Sequence, residues 1–383
     1  MRSALHADGP LRHADLITFL EAKIPYSLSE SWDNCGLQSG SRQYPLKGVV
    51  CCLDITAEVI DEALECGANF IFSHHPLLFK PMSRLDLDVF PGNLIRRALA
   101  AEMTFFSAHT NLDSVAGGVN DHLAQLLGIK ECSPLVPYAG QSCKLVTFVP
   151  ATVVDQVASA LFAAGAGKIG DTHYSECSFR TPGTGTFHPT AEASPHVGEI
   201  GKINFVDEIR LETIVPENSL SPVLKALQQA HPYEVPAYDV YPMRCPDSNC
   251  GAGRVGIIDK KTETREFVSF VKKKLRAAAV RLVGENFKER VQKIAVCGGS
   301  GFSLYNVAQA SGADLIITGD LKHHDARAVL ESGRIPVLDA GHFVTERPVT
   351  EVCAAWCREF IADTGSDVSV AIAESEQEPW SII

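Results

Sequence analysis

The sequence lacks the features that mark membrane, secreted and nucleic-acid-binding proteins. No uninterrupted apolar stretch approaches the roughly 20 residues of a membrane-spanning helix. Basic residues are outnumbered, with 34 Lys and Arg against 46 Asp and Glu, and they gather only in the short run 272–276. Residues 1–10 show no apolar core followed by a small-residue cleavage site. We therefore expect a cytoplasmic protein with no membrane segment and no evident nucleic-acid surface.

Paired Cys-x-x-Cys motifs are also missing, although the chain contains 12 cysteines. This absence argues against a structural zinc knuckle. Cys51, Cys52 and Cys297 stand in apolar runs, where cysteine behaves as a small apolar residue. Without a secretory signal, reduced cytosolic thiols are expected. Cys297 precedes a glycine-rich loop and is a candidate nucleophile, but a core position is the favoured interpretation.

Both ends of the chain alternate short apolar strands with helices. The 383 residues suffice for about two and a half average domains, and 45% hydrophobic residues indicate an ordinary globular protein. The pattern predicts a parallel α/β sheet, because each strand is followed by a helix. Strands are predicted at 48–54, 69–73, 104–108, 293–297, 315–320 and 335–340.

The middle of the chain has a different pattern of predicted strands and helices, and it is predicted to be an inserted domain. A strand at 144–150 and a helix at 153–163 precede strand-and-turn patterns at 178–180, 183–187, 203–206 and 209–214; a helix at 220–230 and a strand at 237–241 follow. This β-α-β-β-α-β order is that of a ferredoxin-like α+β domain. The predicted domains are residues 1–140 and 248–383, as the halves of one split α/β domain, and residues 141–247 as the insert.

Histidine and carboxylate side chains stand just after predicted strands or at a helix start. These places are His74 with His75, His109 with Asp113, His323 with His324, and His342 with Glu346. Ligands collect at the carboxyl ends of strands in open parallel sheets, and imidazole with carboxylate suits Zn²⁺, Fe²⁺ or Mn²⁺. A lone histidine is more often a hydrogen-bonded structural residue, but the recurrence at strand ends favours a metal site. Glu346 could bridge two cations.

Two further motifs are open to more than one interpretation. The Gly-Gly-Ser-Gly loop at 298–301 could bind an anion at a helix N-terminus, but it lacks the P-loop ending, and a tight turn is favoured. The His-Pro-Tyr-Glu motif at 231–234 could line a ligand pocket. A rigid proline turn with a packed tyrosine is slightly favoured there.

A family resemblance rests on five motifs in order along the chain. They are Ser-Trp-Asp-Asn-Cys-Gly-Leu (31–37), Ser-His-His-Pro (73–76), Ala-His-Thr-Asn-Leu-Asp (108–113), Thr-Gly-Asp-Leu-Lys-His-His-Asp-Ala (318–326) and Ala-Gly-His-Phe-Val-Thr-Glu (340–346). Together they resemble the Nif-three-like dinuclear metal-centre family, whose members are often labelled GTP cyclohydrolase I type 2 homologues. The motifs at 165–179, 183–187 and 231–234 are similar to the PII/CutA-like domain of longer members.

The resemblance implies a set of metal ligands, a cofactor and an assembly. The implied ligands are His74, His75, Asp113, His342 and Glu346, with Glu346 as the bridge. They would hold a pair of divalent metal ions (Zn, Fe or Mn) per chain, in a toroidal homohexamer. The chain departs from the family at Phe343, where Tyr is usual, and at Asp320, where Glu is common. These departures affect the surroundings of the ligands more than the metal site itself.

The implied function is that of a dinuclear metal-dependent hydrolase acting on a small-molecule substrate. A GTP cyclohydrolase I type 2-like reaction, in which a metal-activated water attacks a purine nucleotide ring, is the candidate activity. Catalytic residues stay unassigned, with His109, His323 and His324 as candidates for proton transfer. The alternative is a non-enzymatic metal-binding regulatory or adaptor protein with a ligand-sensing PII-like insert.

Overall fold

Strands and helices alternate along most of the chain. The computed structural model describes residues 10–169 and 173–382, with the backbone alone for residues 139–141, 218 and 244–248. The segment considered for a secretory signal therefore lies, up to residue 9, outside the described residues. Among the helices in the two described ranges, none has the length and apolar character needed to cross a membrane.

The element bounds are as follows. The strands are β1 (Gly36–Ser39), β2 (Gly48–Cys52), β3 (Phe70–Ser73), β4 (Thr104–Ser107), β5 (Lys130–Pro150), β6 (Ser178–Phe187), β7 (Asn204–Pro216), β8 (Tyr238–Glu263), β9 (Arg281–Val283), β10 (Arg290–Val296), β11 (Leu315–Thr318), β12 (Val337–Asp339) and β13 (Ser369–Ile372). The helices are α1 (His13–Lys23), α2 (Ala57–Glu65), α3 (Gly92–Ala100), α4 (Thr110–Ser114), α5 (Val119–Leu126), α6 (Val154–Ala163), α7 (Leu220–Ala230), α8 (Thr264–Lys274), α9 (Tyr305–Ala310), α10 (His323–Ser332), α11 (His342–Glu346) and α12 (Val349–Thr364).

The chain divides into two units. The first, here called the metal unit, combines the residues up to Tyr138 with those from Ser248 onward, and the second, the insert, is Ala139–Asp247. The two are described separately. The predicted α/β class is confirmed as a mixed α/β fold.

One sheet of the metal unit has the strand order β1-β4-β3-β2-β13. The strands β4, β3, β2 and β13 are parallel, and β1 is antiparallel at the edge. The strands β2, β3 and β4 are buried along their whole length because helices cover both faces of a parallel sheet. Leu16 of α1 and Cys357 of α12 pack on one face, and Val59 of α2 and Leu94 of α3 lie in the cluster on the other.

The second sheet of the metal unit contains β8, β10, β11, β12 and β9 in that order. The strands β10, β11 and β12 are parallel; β8 pairs antiparallel with β10, and β9 pairs antiparallel with β12 at the edge of the sheet. The predicted parallel pairing is confirmed for β2, β3 and β4 and for β10, β11 and β12, although these strands lie in two sheets to which β1, β8 and β9 add antiparallel pairs. The strands β1 and β9 were missed because they are short and lie in polar or turn-like sequence, which carries little periodic signal.

The insert has the element order β5, α6, β6, β7, α7, β8. Its core holds Leu145, Leu161, Val223 and Leu227. The strand-and-turn patterns predicted between the helices form two long strands, β6 and β7, in keeping with the predicted β-α-β-β-α-β order. Pro182 interrupts the sequence pattern, yet it is accommodated in β6, opposite Ile209. Within the described residues β6 is an edge strand, where a missing N–H costs no ladder hydrogen bond.

Candidate metal centre

Loops and short helices at the carboxyl ends of strands bring six potential metal ligands together in the metal unit. His74 and His75 directly follow β3, and His109 stands two residues after β4. The helix α4 carries Asp113, and α11 carries His342 and Glu346 four residues apart on one face. Potential ligand atoms lie within 4.8 Å of one another in each of three groups: His74, His75 and His109; His75, His342 and Glu346; His74, Asp113 and Glu346.

The Glu346 carboxylate joins two of these groups. Its Oε2 lies 3.0 Å from His75 Nε2 and 2.9 Å from His342 Nε2. The other oxygen, Oε1, lies 3.8 Å from His74 Nε2. The residue is 4% exposed. One carboxylate therefore offers one oxygen to each group, as a ligand that bridges two cations would.

The four histidines are each held through Nδ1, which leaves Nε2 for the centre. His75 Nδ1 lies 2.8 Å from Asp54, His109 Nδ1 lies 2.9 Å from Asp33, and His342 Nδ1 lies 2.7 Å from Asp320. His74 Nδ1 lies 2.9 Å from the carbonyl oxygen of Ala108. An acceptor at Nδ1 fixes the proton there and directs an unprotonated Nε2 inward, as in metal-binding histidines.

Two buried atoms at the centre have no hydrogen-bond partner among the residues that the structure describes. They are His74 Nε2 and Asp113 Oδ1, and they lie 3.7 Å apart. Buried polar atoms without partners are rare because desolvation without a new bond costs free energy. An imidazole nitrogen and a carboxylate oxygen in this state fit a cation between them. The donor set of the centre is therefore suited to divalent metal ions.

Without a bound cation, burial and the neighbouring charges shift the pKa values of imidazoles and carboxylates at the centre. Burial lowers the pKa of His75, but the carboxylates of Asp54 and Glu346 more than offset it and raise the pKa to about 10. Burial raises the pKa of Asp113 to about 6. Burial also acts to raise the pKa of Glu346, but the histidines around it hold that pKa well below its usual range. A divalent cation would replace protons held by the imidazoles at neutral pH.

The glycine-rich loop after β10 packs against Glu346. Gly299 has φ +59°, and a Cβ there would overlap the Glu346 carboxylate. The loop's N–H groups donate to neighbouring side chains: Gly298 to Asn120 Oδ1 (3.0 Å), Gly299 to Thr345 Oγ1 (3.0 Å) and Gly301 to Thr318 Oγ1 (2.8 Å). These donors are occupied, so the structure does not support an anion-binding loop. It supports a tight turn that leaves space for the Glu346 carboxylate.

A cavity of about 1070 Å³ lies beside the centre, with His342 and Asp320 in its wall. Much of the remaining wall comes from the loop after α8, from the β12–α11 connection and from residues 372–382, and α5 and α12 also contribute. Phe343 also faces this cavity. Its volume is at the upper end of those of small-molecule sites.

The family follows from a comparison along nearly the whole chain. A family model described as Duf34/NIF3 (NGG1p interacting factor 3) matches residues 11–379. The chain belongs to the Duf34/NIF3 family. The family resemblance drawn from the five sequence motifs is thereby confirmed.

Relatives and solved structures of Duf34/NIF3 proteins agree with this assignment. The chain is 38% identical over 369 residues to a Halalkalibacterium halodurans protein named GTP cyclohydrolase 1 type 2 homolog, covering 96% of this chain and 98% of the relative. A Bacillus subtilis protein of the same name is 37% identical over 372 residues, covering 96% and 98%. A Bacillus cereus protein related to NIF3 has a TM-score of 0.80 at 35% identity, over 98% of this chain and 100% of that chain. A Staphylococcus aureus protein has a TM-score of 0.82 at 30% identity, with the same coverage.

The structure places the residues singled out from the sequence in different surroundings. The five predicted ligands belong to the three groups, and His109, expected only as a catalytic candidate, joins them. His323 and His324 are exposed at the start of α10 and belong to none of the groups found in the described residues. Cys297 is partly exposed as a residue, and burial together with nearby carboxylates raises the pKa of its thiol, which disfavours a nucleophile. That these residues bind metal stays a prediction.

Sequence reasoning missed a carboxylate near the C-terminus that contacts both sides of the centre. Glu376 Oε1 accepts hydrogen bonds from the N–H groups of Leu53 (2.7 Å) and Asp54 (2.8 Å), and Oε2 lies 3.1 Å from Arg347 Nε. Its side chain is 2% exposed. Because Asp54 orients His75 and Arg347 directly follows Glu346, Glu376 ties together the segments that carry both ligands. Only the fold reveals this role, since Glu376 stands in no recognisable motif.

Replacing Glu376 should weaken metal binding. Glu376→Ala removes the acceptor for the Leu53–Asp54 turn, and we expect zinc affinity to fall roughly 10–100-fold, as for other partners of metal ligands. Glu376→Gln keeps one acceptor oxygen and should lose less. Competition with a fluorescent zinc chelator measures the affinity. Glu374→Ala, in the same segment but exposed, is the matched control; an unchanged affinity in Glu376→Ala contradicts the role.

Adding a methyl group at Gly299 should displace Glu346. We expect Gly299→Ala to lose bound metal, because its Cβ would overlap the carboxylate. Gly312→Ala is the control, since Gly312 has φ +80° and no heavy atom within 4 Å of a Cβ. Both variants bear the backbone cost of about 1 kcal/mol at positive φ, visible in urea unfolding. Equal metal content in the two variants, by elemental analysis, contradicts the seating role of Gly299.

Proposed function

We propose that the chain is a metal-dependent hydrolase with a dinuclear centre. The proposed ligands are His74, His75, Asp113, His342 and Glu346, with His109 in addition. The observation that carries the proposal is the buried Glu346 carboxylate, which faces Nε2 atoms on both sides while His74 Nε2 and Asp113 Oδ1 lack partners. Zn, Fe or Mn suits this donor set. Divalent cations at such a centre supply Lewis-acid polarisation and a nucleophilic hydroxide at neutral pH.

The residues of the chain would position the reaction. Glu346 belongs to two of the three ligand groups and so sets the spacing between them. Asp54, Asp33 and Asp320 keep the imidazoles of their histidines oriented. On the other flank, the rings of Trp32 and Phe79 lie edge-on to His109, with centroids 6.1 and 5.9 Å away. A substrate would approach from the cavity beside His342.

The arrangement supports catalysis over a purely structural or regulatory centre. Six side chains shared by two ions, each taking roughly four to six ligands, leave positions open for water and substrate. Coordination by His323 and His324 would have filled such positions, but both are exposed at the start of α10. The non-enzymatic adaptor is therefore the weaker alternative.

A nucleotide is the substrate class that we propose first. The curated relatives are named as GTP cyclohydrolase homologues. The cavity of about 1070 Å³ has room for a purine nucleotide. Lys274, Arg276 and Arg281 in its wall offer positive charge to phosphates, although Arg281 also pairs with Asp339 and several other acidic side chains line the same cavity.

We also propose the finer organisation that the resemblance implies. Residues 1–140 and 248–383 would form the metal domain, and residues 141–247 a ferredoxin-like, PII/CutA-like insert, which the order β5-α6-β6-β7-α7-β8 supports. A cytoplasmic homohexamer is the proposed assembly. Exposed apolar side chains between Phe79 and Phe90, among them Leu85, Val89 and Phe90 itself, support an interface on the metal unit.

The metal content of the protein should depend on Glu346, the proposed bridging ligand, and on His342. We expect about two metal equivalents per wild-type chain, and a loss of most of them in Glu346→Ala and His342→Ala, because two of the three ligand groups contain Glu346 and one of these also contains His342. Elemental analysis of purified protein gives the stoichiometry. His323→Ala removes an exposed imidazole and should keep its metal. Full metal content in Glu346→Ala contradicts the dinuclear centre.

Hydrolysis should follow metal loading. Protein loaded with Zn²⁺, Mn²⁺ or Fe²⁺ and given GTP is expected to release formate, which a formate dehydrogenase assay measures. Glu346→Ala should reduce the rate by at least about a hundredfold, since the cations would be lost, and His323→Ala should keep it. If no metal gives formate, the cyclohydrolase reaction is ruled out. A screen of phosphate esters and of amides then tests the wider hydrolase proposal.

A further inference from the structure

The insert contains a cavity that the metal centre does not use. Its volume is about 610 Å³, within the range of small-molecule sites. The walls come from β6, β7, residues 189–197 and residues 233–237. Two motifs noted in the sequence meet here, the Gly-Thr-Gly-Thr-Phe run at 183–187 and the end of His-Pro-Tyr-Glu at 231–234.

Most of the cavity wall is apolar. Phe148, Phe187, Pro182, Pro195 and Val235 contribute rings and aliphatic groups. Such a wall suits the body of an apolar ligand, because its contact with the wall removes apolar surface from water.

The charged groups in the wall leave it with net negative character. Glu208 and Glu234 line the cavity, and neither forms an ion pair within the described residues. Arg210 is the one Lys or Arg among the described residues of the wall, and it forms an ion pair in which its Nε donates to Glu212 Oε1 at 2.7 Å. Gly185 leaves room for the acid, since a Cβ there would overlap the Glu208 carboxylate.

The Tyr233 hydroxyl adds a polar group beside the Glu208 carboxylate. Its oxygen is buried and has no hydrogen-bond partner of normal geometry in the described structure. Burial, with the Glu208 carboxylate nearby, raises the pKa of Tyr233, so the phenol stays protonated and its oxygen can accept a hydrogen bond.

The turn that carries Tyr233 is held in place by His231. His231 Nδ1 accepts from the Tyr233 N–H at 3.1 Å, so Nε2 donates to the Phe148 carbonyl at 3.0 Å. The two rings pack edge-on with centroids 4.8 Å apart. The rigid turn favoured from the sequence and the pocket are therefore compatible, because the turn holds Tyr233 in the cavity wall.

We propose that this cavity binds a small organic ammonium ion with an apolar, aromatic body. The ammonium group donates to the Glu208 carboxylate and to the Tyr233 oxygen, a charge-assisted interaction in a partly desolvated site. Aromatic rings in the wall add cation–π attraction. The proposal is independent of the hydrolase proposal, because it concerns residues of the insert alone.

The test uses the full chain and three probes of similar shape. They are 2-phenylethylammonium, the neutral 2-phenylethanol and the anionic 3-phenylpropionate. Saturation-transfer NMR should show 2-phenylethylammonium binding with a roughly millimolar Kd, as expected for a ligand of this size. The alcohol should bind several-fold more weakly, and the carboxylate weakest of all. Equal or tighter binding of 3-phenylpropionate overturns the proposal, as does the absence of saturable binding of the ammonium probe.

Variants locate the binding. Glu208→Gln should weaken binding of 2-phenylethylammonium about tenfold, because it removes the charge but keeps the shape. Tyr233→Phe should weaken it several-fold. Asp207→Asn is the matched control, since Asp207 is the exposed neighbour of Glu208 on β7 and does not line the cavity. Unchanged amide spectra confirm that each variant is folded. An equal loss in Asp207→Asn and Glu208→Gln assigns the effect to net charge and overturns the proposal.

Discussion

The burial of one carboxylate, Glu346, is the constraint around which the metal unit is arranged. A buried negative charge must be matched by nearby positive charge, since desolvation without compensation costs several kcal/mol or more. Imidazoles from both ends of the chain supply the match on its two oxygens. The glycine at 299 leaves space for it, and the Arg347–Glu376 pair anchors the segment that follows it. The two halves of the metal unit therefore meet at this residue.

Much of the fold and part of the site could be predicted because they rest on local sequence patterns. Strands such as β2 and β3 are continuous apolar runs, and histidines directly after β3 mark the ligand-bearing edge of the sheet. The edge strands β1 and β9 could not be predicted, because their few residues carry no periodicity. The partners of the histidines were missed for a different reason. Asp54 and Glu376 reach the centre only through tertiary contacts between segments remote in sequence.

In both the metal unit and the insert, acidic side chains form a site that suits a cation. In the metal unit, Asp113 and Glu346 are surrounded by imidazoles whose free nitrogens suit inorganic cations. In the insert, Glu208 and Glu234 stand in an apolar wall that suits an organic cation. The two sites differ in the softness and geometry of their donor atoms. Nitrogen and oxygen atoms at close spacing suit a metal ion, whereas carboxylate oxygens next to aromatic rings suit an ammonium group. A single acidic chain can thus present two different cation preferences.

The order of the ligands along the chain has a consequence for biosynthesis. His75 and Glu346 are 271 residues apart, and the Glu376 contact lies closer still to the C-terminus. A ribosome therefore finishes the early histidines long before it adds the carboxylate that joins them. The centre cannot be assembled cotranslationally on the first half of the nascent chain, and a prematurely terminated product has no complete cluster. Any binding of metal to the complete cluster would therefore follow the synthesis of both halves of the metal unit.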